Sequence, residues 1–153
     1  SLGASSWQIR IHVSGQWADK NLDASEQFTL GGPFRVRAYP VNEGTGDEGV
    51  LGQIELQKNL YERWQAIAFF DAGRIRQHES PWAGWQGGGT QPNTYNLKGA
   101  GIGLNWNHSE GWRFSMTAAV PIGSNPGRGL DGKNNDGSSP SSPRLWMTFG
   151  KSF

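Results

Sequence analysis

The sequence predicts an all-β chain: an antiparallel transmembrane β-barrel with one long connection folded into its lumen. Three observations carry this. Apolar and polar residues alternate with period two in six separate stretches. The connections between those stretches alternate long, short, long, short, long. Aromatic residues (Trp64, Trp106, Trp112 and Phe153) gather at the short-turn end. Period two marks a strand, because successive side chains point to opposite faces. Short turns at one end, long loops at the other and aromatic girdles are the pattern of outer-membrane barrels.

Trp7 to Trp17 opens the series. Trp7, Ile9, Ile11, Val13 and Trp17 share one side, and Gln8, Arg10, His12, Ser14 and Gln16 the other. At about 3.3 Å per residue such a strand crosses a ~25 Å apolar band. Taken alone, it also fits the edge of a soluble sheet. From Val50 to Leu60, Val50, Ile54, Leu56 and Leu60 face one way and Gln53, Glu55, Gln57 and Asn59 the other; Leu51 and Lys58 break the pattern. After the turn Tyr61-Glu62-Arg63, the stretch Trp64 to Ala72 sets Trp64, Ala66, Ala68, Phe70 and Ala72 outward. Gln65, Ile67, Phe69, Asp71 and Gly73 then face inward.

Tyr95 to Asn107 carries Ala100, Ile102, Leu104 and Trp106 on one face and Gly99, Gly101, Gly103 and Asn105 on the other. A glycine-lined wall leaves room for an object in the lumen, and glycine also serves barrel curvature. Beyond the turn Asn107 to Gly111, the stretch Trp112 to Ile122 points Trp112, Phe114, Met116, Ala118, Val120 and Ile122 outward. The last strand, Arg144 to Phe153, puts Leu145, Met147, Phe149 and Phe153 on one side and Trp146, Thr148, Gly150 and Ser152 on the other.

Composition agrees with this class. Of 153 residues, 35% are hydrophobic, which is low for a globular core, whereas Gly (23) and Trp (8) are abundant. A net charge of +1 gives no reason to expect a polyanionic partner. With no cysteine, disulfides and thiolate metal sites are excluded. No signal peptide opens the chain, whose start reads as loop within a mature protein, and no apolar run approaches the ~18 residues of a membrane helix. Six strands fall below the ~8 that usually close a barrel. An open sheet in lipid leaves backbone groups unpaired. The chain is therefore expected to be part of a larger barrel, or to close with other copies.

The loops hold the candidate chemistry. Ala18 to Gly49 is far longer than a connection needs to be, and it is read as a lumen-penetrating loop. Gln77 to Thr94 and Gly123 to Pro143 are read as extracellular loops, the second mobile because it is almost wholly Gly, Asn, Ser, Asp and Pro. Phe69, Asp71 and Gly73 point inward together. A lumen carboxylate is partly desolvated and favours a cation, and the guanidinium fork of Arg37 suits it. Glu55 is a second inward candidate for Arg37 or Arg35. Gly73 would admit the loop backbone to the wall, and Phe69 and Tyr39 would pack between loop and wall. Other constellations are weaker. His12, His78 and His108 lack ligand spacing, so no metal is expected. Asp131 to Asp136 lacks the terminal Glu of a calcium loop. Gly87 to Gly89 follows no nucleotide-fold strand. No basic, aromatic-interleaved stripe marks a nucleic-acid surface.

The stretch Ser25 to Tyr39, with Gly46-Asp47-Glu48-Gly49 and Glu55, resembles the TpsB transporters of two-partner secretion, the haemolysin secretion/activation proteins. They belong to the wider superfamily that contains the BAM outer-membrane assembly factor. The family's VRGY loop motif stands here as Val36-Arg37-Ala38-Tyr39. Its FxDxG strand motif stands as Phe69-Phe70-Asp71-Ala72-Gly73. One departure is Ala38, where the family usually has Gly; a positive φ there would strain Ala. The resemblance covers nearly the whole chain. It implies the last strands of a barrel of about sixteen, preceded by two periplasmic POTRA domains and a plug helix. It also implies a C-terminus on the periplasmic side and a terminal Phe153 read by the barrel-assembly machinery. Such a pore lies in the outer-membrane bilayer and exports a large unfolded β-helical exoprotein without ATP. It is not an enzyme, and no cofactor is implied. Competing readings are a barrel-assembly factor, a passive porin, or a barrel lipase using Ser14 and His12, which lack a matching carboxylate.

Overall fold

The computed structural model describes residues 6–153; the loop-like opening expected at residues 1–5 lies outside them. Six strands form one antiparallel sheet in the order β1 (Trp7–Gln16), β4 (Glu48–Asn59), β5 (Trp64–Arg76), β6 (Thr94–Asn107), β7 (Trp112–Pro121) and β8 (Arg144–Lys151). Apart from β1, which pairs with β4 across the long connection, each strand pairs with the next in sequence. Register runs from Trp7↔Lys58 through Glu48↔Arg76 and Trp64↔Trp106 to Trp112↔Lys151. The sheet is a partial β-barrel, open along β1 and β8. Among the described residues no helix is long and apolar enough to cross a membrane.

The long connection is itself folded. A single 3-10 turn (Ala24–Glu26) precedes a two-stranded ribbon of β2 (Phe28–Thr29) and β3 (Thr45–Gly46). Residues 30–44 between those strands lie against one face of the sheet. The buried apolar cluster joins Phe28, Leu30, Val36, Ala38 and Tyr39 of this segment to Leu51, Ile67, Phe69, Ile75, Tyr95, Leu97 and Ala119 of β4 to β7. Every one of those strand residues has the inward parity. The opposite face is bare: Ile9, Ile11 and Val13 are 68–69% exposed, and Leu145, Met147 and Phe149 are exposed with them. One face therefore buries its apolar residues under the segment, and the other displays an exposed apolar band.

Two breaks in the alternation now have causes. Leu51 is 1% exposed because the inner face turns apolar where the segment covers it. Lys58 faces outward, with its ammonium 4.8 Å from the Trp7 ring centre at the girdle end. The same end holds Trp64 beside Trp106 (6.4 Å) and Trp112 stacked on Phe149 (5.2 Å).

One strand boundary needs correction. Strand β5 runs on to Arg76 rather than stopping at Ala72, because β4 begins at Glu48 and pairs with it, adding an Arg76–Glu48 ion pair at 3.2 Å. The loop after β7, expected to be mobile, makes hydrogen bonds within itself and to the inserted segment. Turns and side-chain amides organise it, and Asn125 is fully buried. The Asn and Ser residues that suggested mobility serve as hydrogen-bond partners.

Candidate functional site

The segment turns back on itself at residues 30–44. Gly31 N donates to Glu43 O (2.8 Å), Val36 N to Leu30 O (2.8 Å) and Tyr39 N to Val36 O (3.2 Å). This knot presents Val36, Arg37 and Ala38 to the sheet. Val36 is fully buried in the apolar cluster.

Arg37 is 7% exposed and Asp71 is fully buried. Three bonds join them: Arg37 Nε to Oδ2 (2.9 Å), a terminal guanidinium nitrogen to Oδ1 (2.9 Å), and the Arg37 backbone N–H to Oδ2 (3.1 Å). The other terminal nitrogen donates to Glu55 Oε2 at 2.8 Å. The guanidinium carbon sits 3.5 Å from the centre of the Phe69 ring, so the cation is stacked as well as paired. Burial disfavours the cation, but the bonds and charges of Asp71 and Glu55 outweigh that cost and raise its pKa above the usual arginine value.

Arg37 is also held from the far side of the sheet. Its carbonyl accepts from Trp146 Nε1 of β8 at 2.8 Å. Strand β8 lies four places from β4, so in a flat sheet the two would be roughly 19 Å apart at ~4.8 Å per strand. Both reach one residue because the sheet curls around the segment. Trp146 was on the inward face by parity, a large side chain among small ones, and that was the signal for it. Gln53, another residue overlooked, donates to Arg35 O at 2.8 Å.

Glycines on the wall admit the segment. A Cβ on Gly99 would lie 2.4 Å from the Ala38 methyl, and one on Gly73 would lie 2.4 Å from Leu30 Cδ2. Gly73 thus makes room for the Leu30 side chain, where loop backbone was expected. Ala38 has no positive φ, so alanine costs nothing in backbone strain; what it needs is the bare wall at Gly99. Gly101 and Gly103 are filled by Phe69 and Ile67 of β5.

Tyr39 is fully buried, and its hydroxyl has no hydrogen-bond partner among the described residues. Burial first, and then the nearby Glu43 charge, push its pKa up to about 12. Arg35 turns away from Glu55 to donate to Thr29 O (2.7 Å). Phe153 lies beyond β8 and is fully exposed. Among the described residues no hydrogen bond joins Ser14 to His12 and no cluster could hold a metal ion.

Two buried carboxylates were not foreseen. Asp47 accepts from Leu22 N (3.1 Å), Gln27 Nε2 (2.9 Å) and Glu79 N (2.9 Å). Burial opposes the charge, but these bonds win and hold its pKa below the usual carboxylate range. Glu43 accepts from Asn125 Nδ2 and from Asn135 N, both at 2.8 Å. Nothing in the sequence separates these acids from exposed ones; only the approach of distant loops buries them.

A curled sheet with a bare apolar outside and a polar-anchored segment inside has the architecture of part of a membrane β-barrel. The model of the haemolysin secretion/activation protein family ShlB/FhaC/HecB matches residues 1–106, and the chain belongs to that family, whose members are outer-membrane β-barrel transporters. Curated relatives are heme/hemopexin transporter proteins HuxB of Haemophilus influenzae. Those of strain 86-028NP and strain Rd are each 27% identical over 124 residues, 78% of this chain. A further one is 28% identical over the same length. The chain spans about a fifth (21%) of the length of these relatives. No solved structure matches it.

Proposed function

We propose that the chain contributes the last strands of an outer-membrane pore that carries a large unfolded partner protein to the cell surface in two-partner secretion. Residues 18–49 are the lumen-penetrating loop, and Arg37 anchors it. The observation that supports this reading is the buried pairing of Arg37 with Asp71 and Glu55. A cation drawn so completely into a strand wall specifies one position for its segment, because breaking a buried pair leaves an unpaired charge at a cost of ~3–5 kcal/mol. The register set by Asp71, Phe69 and Gly73 on the wall and by Val36, Arg37 and Tyr39 on the loop is then the resting state of the pore.

Beside Arg37 lies a cavity of about 250 Å³ lined by Arg10, His12, Pro33, Phe34, Gln53 and Glu55. In this reading that polar wall faces the path of an extended chain, whose backbone groups find hydrogen-bond partners along it. The partner is a secreted exoprotein. The relatives named heme/hemopexin transporter proteins support a transport role. Loops 77–94 and 123–143 face the cell exterior, the C-terminus faces the periplasm, and Phe153 is the residue offered to the assembly machinery.

The test uses the full-length transporter expressed with its partner. Arg37→Ala and Asp71→Ala are each expected to reduce secretion while the barrel still assembles at wild-type level. Normal secretion from either variant would refute the anchoring role. Conductance without partner-dependent secretion would favour a passive porin instead.

A further inference from the structure

We propose that the outer loop at residues 123–143 is a cap over the pore, clasped to the inserted segment by Glu43. This rests on the pore reading above and adds a device that couples the segment to the cell surface. Glu43 is 4% exposed. Oε1 accepts from Asn125 Nδ2 and Oε2 from the Asn135 backbone, both at 2.8 Å. Among the described residues no cation lies within ion-pair distance of it. Asn135 Nδ2 also donates to Val41 O at 2.9 Å. The cap and the segment are therefore joined at three points across more than eighty residues of chain.

Both partners of the Glu43 carboxylate are donors, so an anion with two acceptor oxygens fits and an amide does not. In Glu43→Gln one arm becomes a donor. The Asn135 backbone N–H cannot turn away. Reversing the Asn125 amide would break its bonds to Asn134 Oδ1 and Gly127 N, both 2.9 Å. The clasp is also rigidly tied to the anchor. Glu43 N donates to Pro40 O (3.2 Å) and its carbonyl accepts from Gly31 N (2.8 Å), within the same knot that carries Arg37. The other root of the cap leads straight into β8, where Trp146 bonds the Arg37 carbonyl. Withdrawing the segment from Asp71 strips the cap of its donors' acceptor, and a fixed cap holds the segment in place. Glu43 is thus a positioning residue for transport.

A reversible cross-link tests this in the full-length transporter with other cysteines removed. Val41→Cys and Asn135→Cys keep Glu43 intact. The pair is expected to form a disulfide in the resting protein, to lower partner secretion about tenfold or more while oxidised, and to recover with reductant. In a separate variant, Glu43→Gln is expected to raise the open fraction in planar bilayers by about tenfold for the charge-assisted hydrogen bond lost. Failure of the cysteines to cross-link, or unchanged secretion when linked, overturns the cap, as does wild-type conductance from an assembled Glu43→Gln barrel. If the reduced protein secretes no partner at all, the pore reading fails instead, while cross-linking and conductance still report on the clasp.

Discussion

Arg37 binds Asp71 with its backbone as well as its side chain: two bonds come from the guanidinium fork and a third from its own amide N–H. A side chain on a flexible stem tolerates slippage of the chain that carries it. An added backbone bond to the same oxygen does not. The pair therefore specifies where the segment lies along β5, beyond holding it to the wall.

This makes a double-mutant cycle informative. Asp71→Leu alone is expected to loosen the docked segment by up to about 3–5 kcal/mol, since it leaves the buried Arg37 cation with Glu55 as its remaining carboxylate partner. Arg37→Met with Asp71→Leu should cost clearly less than the sum of the single changes. Hydrogen exchange of residues 30–44 in the full-length protein measures both. Additive losses would mean that the two residues act independently.

The Ala38–Gly99 contact gives a steric prediction. Gly99→Ala places two methyl carbons 2.4 Å apart and is expected to destabilise docking by about 1–3 kcal/mol, the usual cost of overpacking. Ala38→Gly should restore docking in the Gly99→Ala background and do little alone. Limited proteolysis of the segment reads each variant. No rescue would place the strain elsewhere.

Tyr39 carries a buried hydroxyl with no partner among the described residues. Tyr39→Phe removes an unsatisfied polar group and is expected to be neutral or to stabilise the segment by up to about 1–3 kcal/mol. Thermal unfolding of the purified transporter checks this. A marked loss of stability would reveal a partner for that hydroxyl.

Asp47 predicts an acid-sensitive neck. Its folded pKa lies below its unfolded value, which is near ~3.9 for Asp. Its contribution to stability is thus fully present above that value and is lost as pH falls through the folded one. Exchange of the amides of Leu22 and Glu79 should accelerate over that acid range, and Asp47→Asn should remove that part of the pH dependence. Equal pH profiles in the two proteins would contradict it.

Most of the wall was legible in advance. Parity placed Asp71, Phe69 and Gly73 inward together, because a strand leaves a side chain only two faces to choose from. The pairing of Arg37 with Asp71 was suggested by charge and by an oversized loop. The roles of Glu43 and Asp47 were not legible, and Trp146 showed only its inward parity.

The six sheet strands, their faces and their turns follow from near neighbours at a spacing of two. Which carboxylate meets which donor depends on the folded chain, because those contacts join residues tens of positions apart. The curl of the sheet brings β4, β5 and β8 around one arginine, and no local pattern encodes that distance.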